Sequence, residues 1–167
     1  MHVILGIDPG SVHLGYSVLT VNDRHEIGLL DFGVIENSKL NSLERLGLIH
    51  KEINDLLLKY QPQSAAIEKV FLGKNPQSVF RLGLARGAAL AALAAHQVSV
   101  HEFSPKAMKK YVTGSGVASK ESVLIAVQRL LGIRADIRYD AADAIGLGYV
   151  LARQVIGAQM GNQFVIK

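Results

Sequence analysis

The sequence contains no cysteine, and this absence removes two kinds of site at once. A disulfide framework and a thiolate metal site both require cysteine. Long apolar runs are also missing: the first is broken at Asp8, and the Ala/Leu-rich run from Gly87 to Ala95 lies between Arg86 and His96. Both runs are too short for a secretory signal or a membrane span. We therefore expect a soluble, cytoplasmic protein with no membrane partner.

Internal repeats, low-complexity segments and linkers are also missing from the 167 residues. A chain of this length can bury a core without covalent staples. We expect one domain over residues 1–157, followed by a short C-terminal tail over residues 158–167.

Acidic residues are scarce in the middle of the chain, although the whole sequence is only moderately basic. Its net charge is +4. Residues 61–139 carry 11 Lys/Arg and 4 Asp/Glu, whereas residues 1–60 carry 5 and 8. A basic middle fits a phosphate-backbone partner, although many basic domains bind no nucleic acid.

The spacing of apolar residues predicts five strands and five helices. Strands are expected over residues 3–8, 14–21, 26–35, 64–67 and 98–103, the first three as an antiparallel meander. Helices are expected over 42–60 with Asn41 or Ser42 as the cap, and over 76–97, 120–131 and 140–156, with Pro76 and Ser119 as start signals and Gly132 as a stop. Ser104 and Pro105 start a further short basic helix that holds Lys106, Lys109 and Lys110. This order predicts an α/β domain with a mixed five-stranded sheet and helices on both faces.

Four carboxylates occupy positions from which they can meet. Asp8 ends the first predicted strand and Glu68 ends the fourth. Asp140 and Asp143 lie three residues apart near the start of the last helix, so they share one helical face. The alanines around that pair leave room for the sheet to approach. We therefore expect four acids from three distant segments to converge.

Converging carboxylates repel one another unless they bind cations or take up protons. Hard oxygen ligands without cysteine favour Mg²⁺ or Mn²⁺ over zinc. Two such ions suit phosphodiester hydrolysis, because one activates the attacking water and the other stabilises the leaving oxygen. The alternatives are that Asp8 only caps the Pro9-Gly10 turn, and that Asp140 meets the helix dipole while Asp143 is solvated. The strand-end acids favour the metal site.

Five short blocks occur in a specific order between the N-terminus and about residue 150. They are Gly6–Ser11 with Gly15 and Tyr16, Ala66–Phe71 with Lys74 and Asn75, Leu82–Gly87, Gly114–Gly116 with Lys120, and Asp140–Ala144. Each block is weak alone, but together they resemble the RuvC crossover junction endodeoxyribonucleases. The resemblance implies an RNase H-like fold and symmetric nicking of four-way (Holliday) DNA junctions in recombination and repair.

The resemblance also implies roles for individual residues. Asp8, Glu68, Asp140 and Asp143 match the metal-binding acids, which would hold two Mg²⁺ per subunit, with Mn²⁺ as a substitute. Lys109 and Lys120 match basic catalytic residues near the scissile phosphate. The implied partners are a second copy of the chain, a four-way junction, and the branch-migration proteins RuvA and RuvB.

A set of basic residues and one aromatic residue is predicted to bind DNA. Phe71 matches an aromatic that contacts a base, although without the resemblance a core position is the better interpretation. Lys69 stands where glutamine is usual in the family, which adds charge beside the site. Paired lysines on a helix are by default a solvated face. The DNA-binding set is Lys69, Phe71, Lys74, Arg81, Lys106, Lys109, Lys110 and Lys120.

The predicted helix from Pro76 to about Gln97 is rich in small residues, which allow close approach of a neighbour. Gly83, Gly87 and Ala91 recur at every fourth position. Such a helix suits packing against its own sheet or against a second copy. The resemblance to a dimeric family favours the second copy, joined about a two-fold axis.

Three other functions compete with a junction nuclease. An actin-like ATPase also has a Gly-Ile-Asp strand, but it needs two similar lobes and this chain supplies one. A non-catalytic junction-binding protein would use the basic surface but gain nothing from four converging acids. An RNase H-like nuclease acting on structured RNA shares the strand-end aspartate. The blocks at Glu68–Phe71 and Gly114–Gly116 favour the junction nuclease.

Overall fold

The structure, a computed structural model, describes residues 1–10, 12–36, 38–69 and 75–161. In these ranges the chain forms five strands and five helices. The strands are β1 (His2–Asp8), β2 (His13–Val21), β3 (Ile27–Glu36), β4 (Ser64–Glu68) and β5 (Ser99–Phe103). The helices are α1 (Ser42–Tyr60), α2 (Pro76–Ala95), α3 (Pro105–Thr113), α4 (Lys120–Leu131) and α5 (Tyr139–Gln159).

The strands form one mixed sheet in the order β3-β2-β1-β4-β5. β1, β2 and β3 are antiparallel neighbours, whereas β4 is parallel to β1 and β5 is parallel to β4. The predicted meander and the mixed sheet are therefore confirmed. Because β1 and β4 run in the same direction, with Ile7 opposite Ile67, their last residues lie at the same end of the sheet.

Helices cover both faces of the sheet, as predicted. Side chains on alternate positions of β1 point to opposite faces. Leu5 and Ile7 pack into a core cluster with α1 and α2, and Ile4 packs into a second cluster with α3, α4 and α5. The second cluster holds α5, the helix that carries two of the candidate acids.

At Gly6 and Gly15, the backbone of α5 lies directly against the backbone of β1 and β2. A Cβ added to Gly15 would lie 2.0 Å from the Asp140 carbonyl oxygen, and one added to Gly6 would lie 2.2 Å from that of Ala144. The buried Ser17 hydroxyl donates a hydrogen bond of 2.8 Å to the same Ala144 carbonyl. These contacts fix the start of α5 over the end of β1.

Helix ends follow the signals read in the sequence at several places. Asn41 caps α1 through a capping box with Glu44, and Ser119 caps α4. Gly132 ends α4 in the left-handed region, with φ at 64°.

Two predicted boundaries are wrong by a few residues. α2 ends at Ala95 because Gln97, with φ at 56°, leaves the helical region. α5 continues to Gln159 because Ile156 and Gly157 are still buried in its last turns. A domain boundary after residue 157 therefore falls inside this helix, and residues 162–167 of the predicted tail lie outside the described residues.

Candidate active site

Two of the four acids meet because their strands are parallel neighbours. Asp8 and Glu68 are the last residues of β1 and β4, and strand alternation points both side chains to the face that α5 covers. The charge of Glu68 raises the pKa of Asp8, so the two carboxyl groups act on each other electrostatically. The fold has therefore concentrated negative charge at this end of the sheet.

α5 brings the other two acids to the same place. Asp8 lies opposite Gly15 in the β1–β2 pairing, and Gly15 touches the backbone of Asp140. Asp143 is one turn further along the helix and is only 7% exposed. The alternative interpretation of Asp143 as a solvated side chain is therefore wrong. Its Oδ1 is buried and has no hydrogen-bond partner among the residues that the structure describes.

The electrostatics show that the acids act on one another. Burial raises the pKa of Asp8 well above its ordinary value, and the charges of Glu68, Asp143 and Asp140 raise it further. Burial is also the largest cause of the raised pKa of Glu68, followed by the charge of Asp143. The pKa of Asp143 is raised by burial as well. A site of this kind favours cations or protons over four free carboxylates.

Lys109 and Lys120 lie near the acids, and their catalytic role stays a prediction. The Lys120 ammonium is 3.9 Å from Oδ2 of Asp143. The charges of both lysines lower the pKa values of Glu68 and Asp143, which opposes the effect of burial. Lys120 is exposed and Lys109 is half-buried, so both can meet a phosphate at the acid cluster.

Arg138 is a neighbour of the site that sequence reasoning missed. Arg138 occupies the N-cap position of α5 and forms an ion pair with Glu36. One of its terminal guanidinium nitrogens lies 3.9 Å from Oδ2 of Asp140. Its only local signal is a basic residue two positions before an acid at a helix start. The contact with Glu36 joins α5 to the end of β3, which no sequence pattern indicates.

The donor set fits a hard divalent cation. All four acids offer oxygen, and Oδ1 of Asp143 is a buried acceptor with no partner within the described part of the chain. Within residues 1–10, 12–36, 38–69 and 75–161, however, no group of three or more His, Asp or Glu side chains is arranged so that it could hold a metal ion. Cation binding by these acids therefore stays a prediction.

The remaining DNA-binding candidates lie on three parts of the surface. Lys69 is exposed directly after β4, and Lys106 and Lys110 are exposed on α3, the helix that also carries Lys109. Arg81 is exposed in the first half of α2. Phe71 and Lys74 lie outside the described residues. The exposed lysines of α3 add positive charge to the helix that carries Lys109, and their contact with DNA stays a prediction.

The raised pKa values predict how the stability of the cation-free protein depends on pH. Between the ordinary carboxyl pKa and the raised native values, the native state binds more protons than the unfolded state. The free energy of unfolding should therefore fall as the pH rises from about 4, the ordinary carboxyl pKa, through the raised native pKa values. Thermal melting in excess chelator measures this slope. Asp8→Asn should flatten it, and an unchanged slope in that variant would contradict the prediction.

A mixed five-stranded sheet with an acid-bearing helix across one face defines an RNase H-like α/β domain. Comparison with known proteins narrows this class. The family described as crossover junction endodeoxyribonuclease RuvC matches residues 4–150. A protein of that name from Chlorobium phaeobacteroides is 41% identical over 147 residues, which cover 87% of this chain and 78% of the relative. This chain belongs to the RuvC family.

Solved structures agree with this membership. T. thermophilus RuvC in complex with Holliday junction substrate is 31% identical and superposes with a TM-score of 0.83, covering 96% of this chain and 97% of that one. The yeast mitochondrial Holliday junction resolvase Ydc2 is 18% identical, with a TM-score of 0.70 over 94% of this chain and 80% of that one, and it shares the fold. The resemblance read from the five blocks is confirmed, and the actin-like alternative is wrong.

Proposed function

We propose that this chain is a structure-selective endonuclease that nicks four-way DNA junctions symmetrically by phosphodiester hydrolysis, in recombination and repair. The observation that carries the proposal is the meeting of Asp8, Glu68, Asp140 and Asp143 at one end of the sheet in a member of the RuvC family. A relative bound to a Holliday junction supports the choice of substrate.

We propose that the four acids hold divalent cations, Mg²⁺ or Mn²⁺, at two positions per subunit. The support is the raised pKa values of Asp8, Glu68 and Asp143, together with the buried Oδ1 of Asp143, which has no hydrogen-bond partner among the described residues. Bound there, such ions supply an activated water and charge neutralisation at the leaving oxygen. The acids would bind and orient them, since α5 and the two strand ends fix the carboxylates relative to one another.

The lysines beside the acids would bind the scissile phosphate. Lys120 has an exposed ammonium near Asp143, so it can reach a phosphate oxygen outside the carboxylates. Lys109 lies on the neighbouring α3 and acts on the same acids. Two fixed positive charges would hold the phosphate in place and stabilise the negative charge that develops on it during hydrolysis.

A substrate competition tests the proposed function. The protein with Mg²⁺ is incubated with equal amounts of labelled four-way junction, linear duplex and structured RNA. Preferential paired nicking of the junction supports the proposal. Tight junction binding without nicking would identify a binding protein, and preferential cleavage of the RNA would identify an RNase H-like ribonuclease; either outcome overturns the proposal.

We also propose that the active species is a two-fold dimer joined through α2, since one set of acids makes one nick at a time. Ala85, Ala89 and Ala92 bury one side of α2 against its own domain, so packing against the sheet explains only that side. The opposite side exposes Gly83, Gly87 and Ala91, with Phe80 67% exposed beside them. A second copy would cover this apolar side.

By length and composition, α2 is also the one helix within the described ranges that could cross a membrane, with 22% of its apolar window buried. One such helix is weak evidence for a membrane span. The full helix is longer than the run Gly87–Ala95 considered from the sequence, and it contains Arg81 and Arg86.

The absence of a membrane partner, the cytoplasmic location and the partnership with RuvA and RuvB stay predictions.

The Gly87→Leu substitution tests the proposed dimer interface without disturbing the fold of the single chain. A Cβ on Gly87 meets nothing within 4 Å in the single chain, and leucine favours helix over glycine by about 1 kcal/mol. The folded chain should therefore be as stable or more stable, while overpacking weakens dimerisation by roughly 1 to 3 kcal/mol. Light scattering and paired nicking of a cruciform plasmid measure the loss.

Gly47→Leu is the matched control, because Gly47 is also exposed in a helix and its Cβ meets nothing within 4 Å. This variant should stay dimeric. A wild-type protein that is monomeric at micromolar concentration and still makes paired nicks would contradict the dimer proposal.

A further inference from the structure

Arg86 extends from α2 to the end of β4, where Glu68 lies. The side chain of Arg86 is only 18% exposed, which is unusual for a charged residue, and it stands on a helix rich in alanine and glycine. The neighbouring Ala85 and Ala89 are buried against the sheet, so the helix holds the base of the arginine close to the strands. A mostly buried guanidinium needs partners for its donors.

Its partners lie on two adjacent strands. Nε of Arg86 donates a hydrogen bond of 3.2 Å to the backbone carbonyl of Glu68. The terminal nitrogen forms an ion pair with Glu102 on β5. Glu102 lies opposite Ile67 in the β4–β5 pairing, so the carboxylate stands one residue away from the carbonyl that the same guanidinium contacts.

Glu68 lies where β4 loses a neighbouring strand. The pairing of β4 with β1 ends at Ile67, and only the pairing with β5 continues to Glu68. On that side the Lys69 amide donates to the Phe103 carbonyl at 2.8 Å. The Arg86 contact fixes the Glu68 carbonyl from the α2 side, and with it the peptide plane that orients this residue.

We infer that Arg86 is a positioning residue that holds Glu68 in place through its backbone carbonyl, with Glu102 as the anchor of the guanidinium. The inference rests on the proposed function, because it concerns how one of the candidate acids is oriented. Arg86 donates to a main-chain atom and is itself mostly covered, so it is not a phosphate-binding residue. A misplacement of about 1 Å at a reacting group can cost roughly 100-fold in rate.

Two variants test the inference. Arg86→Met keeps most of the side-chain volume and removes every donor, and Glu102→Gln removes only the charge of the anchor. Arg86→Met should lower kcat for junction cleavage by roughly 10- to 100-fold with KM and junction affinity unchanged. Glu102→Gln should lower kcat less, and the double variant should match Arg86→Met because both changes break one contact chain.

Arg86→Lys is expected to recover part of the rate, since an ammonium can serve the carbonyl or Glu102 but not both in the geometry of the guanidinium fork. Arg24→Met is the matched control, because Arg24 is exposed in the β2–β3 turn at the opposite end of the sheet. All rates are measured well below the melting temperature of each variant, so that a lower folded fraction does not contribute.

Backbone amide exchange provides a readout without DNA or cation. The Lys69 amide should exchange about fivefold faster or more in Arg86→Met than in Arg24→Met, because the end of β4 then lacks the hydrogen bond between Arg86 and the Glu68 carbonyl. Unchanged kcat and unchanged Lys69 exchange in a folded Arg86→Met protein would overturn the inference, as would a loss confined to junction affinity. A wild-type chain that cuts no junction overturns the proposed function instead, and the exchange result then supports or overturns the backbone contact separately.

Discussion

Replacing Asp8 with asparagine is expected to slow junction cleavage by several orders of magnitude while junction affinity stays equal or rises. The substitution keeps the size of the side chain and removes one negative charge from a group of four acids. Less negative charge then faces the DNA phosphates, which accounts for the retained binding. Single-turnover cleavage and equilibrium binding, measured on the same preparation, separate the two effects.

The same variant should be more stable than the wild type without cations. The raised pKa of Asp8 means that its charge is unfavourable in the folded state near neutral pH, and asparagine removes that charge. Asp23→Asn serves as the control, since Asp23 is almost fully exposed in the β2–β3 turn. If cleavage and binding fell together with stability, Asp8 would be a folding residue and the assignment of its role would be wrong.

Removal of divalent cations should abolish cleavage, and either Mg²⁺ or Mn²⁺ should restore it. Ca²⁺ should support junction binding with little cleavage, because it prefers looser and higher coordination than in-line attack needs. Thermal melting gives a second measurement: Mg²⁺ should raise the melting temperature of the wild type more than that of Asp143→Asn. Undiminished cleavage in excess chelator would contradict the cation proposal.

The acids at the strand ends were predictable because each follows an apolar run and stops it. Asp8 precedes a Pro-Gly breaker, and Glu68 ends a short strand rich in alanine. The parallel pairing of β1 and β4 then places both at one end of the sheet, as short strands joined through a helix usually do. The spacing of Asp140 and Asp143 predicted their shared face for an equally local reason.

The side chains that support these acids were not predictable in the same way. Arg138 contacts Glu36, which is 102 residues away along the chain, and the Ser17 hydroxyl donates to the Ala144 carbonyl, which is 127 residues away. Such contacts depend on how elements pack, and the periodicity within each element carries no information about them. Gly15 was visible as part of a sequence block, but its reason, contact with the Asp140 backbone, appears only in three dimensions.

The small residues of α2 show how one pattern can contain two signals. The sequence offered packing against the sheet and packing against a second copy as alternatives for the whole helix. In the structure the buried alanines and the exposed glycines lie on different sides of it. Composition alone cannot separate such sides when both consist of small residues, because the helix has little contrast between an apolar and a polar face.

The direct backbone contact of α5 with Gly6 and Gly15 restricts which substitutions this protein can accept during evolution. Where large side chains fill a core, one substitution can be offset by another of opposite volume, and the packing drifts in small steps. Where backbone rests on backbone, no side chain is available to shrink in compensation, and any Cβ would displace the helix together with both of its acids. A substitution at either glycine therefore displaces the helix as a whole, whereas the core beneath α1 and α2 can change through compensating substitutions.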